Sequence, residues 1–356
     1  MMSTGGQTTT TEHGLASTLQ SAVGVAIIGA GYWGPNLIRN FDSLTDCQIR
    51  WVCDRKPGRL RYVNERWPHI PLTENYVQVL KDPAVDAVVI ATPVSTHCDL
   101  ATAALEAGKH VFVEKPLAPT GEQARRIVDL AERKDRVLAT GHIFVYHPAV
   151  AAMKAAIERG EVGQLCYAES GRVNLGPPAS EVNVIWDLAV HDVSILLYLW
   201  DKEPVEVIAY GRRFLHPTLI DVAFLHLRFA DGSMAQHHVS WLSPEKVRRF
   251  FVAGTEGSLK FDDTLPEGKL RVIDQGVDSR IGLKDDEVKE LYYRPGQITV
   301  PQLPNEEPLR VECQHFLDCI RNGHRPRADG RAGLSVVRVL EAAERSIAEG
   351  SRPIPL

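Results

Sequence analysis

Between residues 21 and 142 short apolar runs alternate with amphipathic stretches. Val23–Ile28 (VGVAII) has no polar position and runs into a glycine, the pattern of a strand buried on both faces of a parallel sheet. Pro35–Phe41 reads as a helix, with proline tolerated in its first turn. Strands are expected at Ile49–Cys53, Val85–Ala91, Val111–Val113 and Val137–Thr140, with helices at Thr96–Glu106 and Gly121–Lys134. Strands and helices alternating at this spacing predict βαβ units in a doubly wound parallel sheet.

The pattern changes after about residue 145. Ala149–Gly160 predicts a helix and the strongly apolar Val193–Trp200 a buried one. Val205–Leu215, Asp221–Phe229 and Met234–Trp241 read as long strands, the last two joined by the turn Ala230-Asp231-Gly232-Ser233. Another strand pair brackets Gly254-Thr255-Glu256-Gly257, and the helices Val311–Arg321 and Gly333–Glu349 close the chain. The expected fold class is therefore α/β: a Rossmann-type doubly wound domain over residues 23–145, then an α+β domain with a large, mostly antiparallel sheet over 146–356. The Thr-, Ser- and Gly-rich residues 1–22 lack the basic and apolar regions of a signal peptide and are expected to be a disordered tail.

Composition narrows the function classes. The 356 residues are 44% hydrophobic and 24% charged, as in ordinary globular domains. Lys and Arg number 40 against 45 Asp and Glu, for a formal charge of −5, which argues against a nucleic-acid partner needing a basic surplus. No apolar run approaches the roughly 20 residues that span a bilayer, so no membrane partner is expected. Cys47, Cys53, Cys98, Cys166, Cys313 and Cys319 form no CxxC pair and show no zinc-ligand spacing. They read as core residues in a reducing cytoplasm. His237 and His238, adjacent on a strand, face opposite sides, and no metal site is expected.

Gly29-Ala30-Gly31-Tyr32-Trp33-Gly34 follows a predicted strand and opens a helix, and Asp54 ends the next strand twenty residues beyond Gly34. This is the dinucleotide-binding arrangement: glycines for a tight turn and close backbone approach, a helix N-terminus for the pyrophosphate, an acid for the ribose hydroxyls. Asp54 would repel a 2′-phosphate, which favours NAD; Arg55 and Lys56 beside it offset that repulsion and leave NADP open. Ligands bind outside the carboxyl ends of the strands of such a sheet. Two segments end strands there: Ala91-Thr92-Pro93, followed by His97, and Val113-Glu114-Lys115-Pro116. Pro116 keeps Lys115 extended, where its cation can hold a hydroxyl or a developing alkoxide. Asp187 and His191, four apart ahead of the apolar helix, share one face if helical, and a carboxylate beside a histidine supports proton acceptance. Each residue also has a bland reading: a solvated lysine, an N-cap and a satisfied core histidine.

With GAGYWG, ATPVSTH, VEKP and D-x-x-x-H in this order, the chain resembles the Gfo/Idh/MocA family, named for glucose–fructose oxidoreductase and inositol dehydrogenase. The likeness runs from about residue 23 to 350. It implies an NAD(P)-dependent dehydrogenase or ketoreductase acting on a secondary carbinol of a sugar, aminosugar, nucleotide-sugar or cyclitol. The catalytic residues implied are Lys115, Asp187 and His191, with Lys115 on the reacting oxygen, His191 as proton acceptor and Asp187 orienting the imidazole. Cofactor contacts are implied at Gly29, Gly31, Tyr32, Trp33, Gly34, Asp54, Arg55, Thr92, Pro93, His97, Glu114 and Lys115. Substrate contacts are implied at Lys115, Tyr146, Arg172, Asn174, Asn183, Trp186, Asp187 and His191. One departure stands out: many members carry Asp three residues after the histidine, where this chain has Ser194, with Asp192 adjacent instead. The resemblance also implies a homodimer or homotetramer built through the second sheet. The competing reading is a non-catalytic NAD(H)- and sugar-binding regulatory protein of the same fold, which need not keep Lys115, Asp187 and His191 together.

Overall fold

The computed structural model describes residues 22–176, 182–277 and 293–356; the tail expected over 1–22 lies, apart from Ala22, outside them. The first part comprises β1 (Val23–Ile28), α1 (Gly34–Asp42), β2 (Cys47–Cys53), α2 (Pro57–Arg66), β3 (Leu72–Thr73), α3 (Tyr76–Lys81), β4 (Ala87–Ile90), α4 (His97–Glu106), β5 (His110–Glu114), α5 (Gly121–Arg133) and β6 (Leu138–Gly141). The strands form one parallel sheet in the order β3-β2-β1-β4-β5-β6. The β1 and β4 side chains are buried on both faces, which is why their sequences carry no polar alternation. The chain leaves β1 toward β2 and returns on its other side as β4, so a crevice opens at their carboxyl ends.

Two helices were not expected. Of α2 only Leu60 and Val63 are buried, and of α3 only Val79, so neither carries a periodic apolar stripe.

The second part contains α6 (Pro148–Glu158), β7 (Leu165–Leu175), α7 (Val190–Trp200), β8 (Glu206–Arg212), β9 (Val222–Arg228), β10 (Met234–Ser240), β11 (Leu242–Gly254), β12 (Ser258–Asp262) and β13 (Leu270–Ile273). A ribbon of β14 (Gly276–Val277) and β15 (Tyr293–Arg294) follows, then β16 (Ile298–Thr299), α8 (Pro308–Asn322), α9 (Gly330–Ala348) and β17 (Ile354–Pro355). The large sheet has the order β16-β13-β12-β11-β7-β10-β9-β8-β17 and is antiparallel except where β7 meets β10. The β9–β10 turn closes as expected, with Gly232 at φ +86° and Phe229 N–H donating to the Ser233 carbonyl at 2.9 Å. The strand expected over Val205–Leu215 stops at Arg212, because the Asp221 carboxylate gathers the N–H groups of Phe214, Leu215 and His216 and turns the chain.

Central strand β7 was missed altogether. Its inward positions include Ser170 and Arg172, polar residues that hide the period-2 pattern. The last helices return to the first sheet: α8 packs on α1, with Phe316 edge-on to Phe112 at 5.7 Å, and α9 lies between α5 and β8. One continuous core thus runs from the first sheet through α7 and α9 to the second, holding the two sheets in fixed relation.

Candidate active site

The glycine loop is shaped by sterics. Gly29 has φ +106°, and a Cβ there would stand 2.4 Å from the Ala91 carbonyl oxygen. A Cβ on Gly34 would meet the Gly29 oxygen at 2.3 Å. Gly31 is different: a Cβ would face only the Arg59 guanidinium at 3.5 Å, so its backbone lies open to a ligand. Asp54 is buried and ties the loop together. Its Oδ2 accepts from Ala30 N–H at 2.9 Å and from Arg59 Nη1 at 3.2 Å, while Oδ1 accepts from Lys56 N–H at 2.8 Å. A cavity of about 520 Å³ opens beside it, lined by Gly29, Asp54, Arg55, Arg59, Glu74, Tyr76, Thr92, Pro93, Thr96 and Asp99. Thr92, Pro93 and Arg55, implied as cofactor contacts by the resemblance, are on this lining, while Arg59, Glu74 and Tyr76 lie on or next to the unforeseen helices α2 and α3. Tyr32 is almost wholly exposed, and Trp33 packs on the core beneath α1.

His97 corrects an expectation. Its ring is 1% exposed and both nitrogens face carbonyls, Pro116 at 2.9 Å and Thr92 at 2.9 Å. It staples the loop after β4 to the loop after β5 and presents no atom to a cofactor. Burial holds it below the ordinary histidine range.

Glu114 and Lys115 end β5, with a cis peptide bond between Lys115 and Pro116. Lys115 Nζ crosses to the second domain, donating to the Asp187 carbonyl at 3.0 Å with the Asp187 carboxylate 3.5 Å away. Burial pushes Glu114 up to about 7, against the opposing pull of the Lys115 cation. Sequence reasoning missed Glu312 of α8, whose carboxylate is buried with no protein partner among the described residues; burial, and then Glu114, push it well above the usual range.

Asp187 lies on a π-helical turn, Ile185–Ala189, ahead of α7; a regular α-helical face was expected. The turn is capped by Asn183, whose Oδ1 accepts from Ile185 N–H at 3.0 Å and whose Nδ2 donates to Glu344. The Asp187 carboxylate faces Lys115 and accepts from Trp241 Nε1 at 3.1 Å. No hydrogen bond joins it to His191 among the described residues; the carboxylate lies against the Lys115 ammonium instead. The His191 ring meets Phe144 edge-on at 5.1 Å, and its Nδ1 is buried without a partner. Burial, then Lys115 and Arg172, hold His191 well below its ordinary value, so the imidazole is neutral. His142, also unforeseen, is 1% exposed with both nitrogens unpartnered among the described residues, and burial takes it down to about 3.

Residues 23–142 match the family described as an oxidoreductase family with an NAD-binding Rossmann fold, GFO_IDH_MocA, and residues 150–260 match the GFO/IDH/MocA C-terminal domain. The chain belongs to the Gfo/Idh/MocA oxidoreductase family. Among its relatives, the scyllo-inositol 2-dehydrogenase (NAD(+)) of Bacillus subtilis (strain 168) is 29% identical over 320 residues, 86% of this chain and 89% of that protein. The UDP-N-acetylglucosamine 3-dehydrogenase of Acidithiobacillus ferrooxidans is 32% identical over 264 residues, covering 73% and 77%. GenD2 from gentamicin A biosynthesis, solved in complex with NAD, superposes with a TM-score of 0.79 at 25% identity, covering 96% of this chain and 98% of that one.

This Gfo/Idh/MocA chain is an NAD-dependent oxidoreductase. Several substrate contacts implied by the resemblance take other places in it. Tyr146 is buried against His315, with Ala328 N–H directed at its hydroxyl. Arg172 is 4% exposed and committed to Asp192. Asn183 is the cap just described, and Trp186 is 7% exposed within the core. Asn174 donates to the Leu175 carbonyl at 3.2 Å at the end of β7. Asp54→Ala is expected to raise the NAD dissociation constant about 10–100-fold, the scale of a lost hydrogen bond to a charged group. It should narrow the gap to NADP by freeing Arg59 for a phosphate. Fluorescence titration with both nucleotides checks this; an unchanged NAD constant means that the carboxylate serves the loop alone.

Proposed function

We propose that this enzyme oxidises a secondary hydroxyl of a sugar, aminosugar, nucleotide-sugar or cyclitol, and reduces the matching ketone in reverse. The observation that carries the reading is the meeting of Lys115 and Asp187 across the two sheets, beside a neutral His191 whose Nε2 makes no hydrogen bond among the described residues. The named activities of the relatives, on inositols and on UDP-N-acetylglucosamine, support the substrate class. The residues present fit a dinucleotide: Gly31 leaves backbone open, Asp54 offers a carboxylate at the cavity, and α1 turns its N-terminus to the loop. NAD, when bound, supplies the hydride acceptor.

The protein's own residues handle the proton and the oxygen. His191 takes the hydroxyl proton on Nε2, since Nδ1 is buried away from the solvent-accessible side of the ring. Lys115 has three N–H donors; one is spent on the Asp187 carbonyl, and the ammonium holds the substrate oxygen as negative charge develops on it. Asp187, braced by Trp241, keeps that ammonium in place. Mixing the protein with NAD and a panel of sugars, nucleotide-sugars and cyclitols is expected to raise NADH absorbance with at least one of them. Dinucleotide binding with no turnover across the panel would favour the regulatory alternative.

The enzyme is further proposed to act in the cytoplasm as a homodimer or homotetramer. The outer face of the second sheet exposes two apolar pairs, Tyr167 with Met234 and Tyr210 with Phe224, separated by His226 and Gln236; exposed apolar groups of this size are of the kind that associating surfaces bury. Phe224→Glu is expected to lower the mass measured by light scattering to that of the monomer. A wild-type mass in that variant would place the contact elsewhere.

A further inference from the structure

A polar chain crosses the interior of the second domain. Arg172 and Ser170 of β7, Asp192 of α7 and His237 of β10 are each under a tenth exposed. Arg172 donates from Nε and Nη2 to Asp192 Oδ1 at 3.0 and 2.8 Å. Asp192 Oδ2 accepts from Ser170 Oγ at 2.9 Å, and Ser170 Oγ meets His237 Nδ1 at 2.7 Å, the two residues facing each other across the parallel β7–β10 pair. Since the serine proton goes to Asp192, its oxygen accepts from Nδ1–H of a neutral His237, which burial holds down to about 4. Every link between these four groups is therefore satisfied.

The chain leads to His191 by two routes. The Arg172 guanidinium carbon sits over the Phe144 ring, 4.2 Å from its centroid, and Phe144 meets the His191 ring edge-on at 5.1 Å. Asp192 is the next residue after His191, so the same ion pair grips the turn that carries the imidazole. A buried ion pair adds little net stability, because desolvation offsets its attraction and apolar residues of similar volume commonly serve as well. Stability alone does not account for it. We propose that the Arg172–Asp192–Ser170–His237 chain is a positioning device that fixes the place of the His191 imidazole opposite Lys115. The proposal rests on the reading of His191 as the proton acceptor. The charged and titratable groups facing His191 are Lys115 at the end of β5, His142 after β6, Arg172 of β7 and Arg248 of β11, with Asp187 one turn back on its own segment. Arg172 thus supplies both the ring's support, through Phe144, and part of the positive field that keeps the ring neutral.

The test uses the full chain with labelled histidine, the His191 ring signal being assigned by its loss in His191→Ala. Combining Arg172→Met with Asp192→Leu strands no charge. In that variant the His191 titration midpoint is expected to rise, because Arg172 is among the cations that hold it down while Asp192 is not among the groups that shift it. The magnetisation-transfer contact with the Phe144 ring should weaken. Turnover of whichever panel compound reduces NAD should fall about 10–100-fold, with NAD binding unchanged. Arg172→Lys keeps the charge and loses the flat fork; there the midpoint should stay while the Phe144 contact and kcat fall. A wild-type midpoint, ring contact and kcat in the double variant overturn the proposal. If the double variant does not fold, a wild-type ring contact and kcat in Arg172→Lys overturn it. Unchanged turnover in His191→Ala would instead sink the proton-acceptor reading, and the ring measurements, which need no substrate, would still show whether Arg172 places the imidazole.

Discussion

His191→Ala and Lys115→Ala should each lower kcat for carbinol oxidation by about 10²–10⁴, the usual scale for a general acid–base group. His191 combines a neutral imidazole with an Nε2 that makes no hydrogen bond among the described residues, and Lys115, held by Asp187, is the cation that does most to keep its ring neutral. Both act on the same oxygen in one transition state, so the double variant should lose little more than the worse single. NAD affinity should barely move, because neither side chain is among those around the Asp54 cavity. The pH profile carries the sign. Oxidation requires the unprotonated ring, so the rate falls as pH drops through the His191 pKa. Because burial and the Lys115 and Arg172 cations hold that pKa well below the ordinary value of about 6.5, the acid limb should lie below pH 6.5 in the wild type and be absent from residual activity in His191→Ala. Steady-state kinetics across pH check this, and near wild-type turnover in His191→Ala would make the histidine structural.

Gly29→Ala should be the most damaging small substitution in the cofactor loop. The new methyl would stand 2.4 Å from the Ala91 carbonyl oxygen, a backbone atom that cannot swing aside, and φ +106° is unfavourable for any L side chain. Holding a side chain in such a conformation costs about 1–3 kcal/mol before the clash is counted. The carboxyl ends of β1 and β4 must then part, at the place where the crevice forms. The expected result is a melting temperature lower by several degrees and NAD binding weakened by about 100-fold or more. Gly31→Ala is the internal comparison: with only the Arg59 side chain near, it should leave the melting temperature in place and affect the nucleotide alone. Calorimetry with and without NAD reads both. Equal melting temperatures for wild type and Gly29→Ala would show that the loop relaxes.

The parallel half was legible because its strands are buried on both faces and its loop obeys a steric rule; GAGYWG followed by Asp54 leaves few other folds. Lys115, Asp187 and His191 were legible as residue types at strand and helix ends. What each of them touches was not, since that depends on atoms brought together from distant segments. The Asp187 carboxylate turned to Lys115 because a π-turn capped by Asn183 aims it there, and a residue spacing does not distinguish that turn from an α-helix. His97 looked like a cofactor contact until two carbonyls, Thr92 after β4 and Pro116 after β5, took both its nitrogens. Strand β7 was invisible because Ser170 and Arg172 point inward, and they can do so only where Asp192 and His237 meet them. Local pattern reports which face of a segment is apolar, so sequence by itself determined the class of fold, the dinucleotide site and the residues available for chemistry. Partners for buried polar groups are chosen by tertiary structure, since burying a charge or an N–H is tolerable only when a particular distant atom satisfies it.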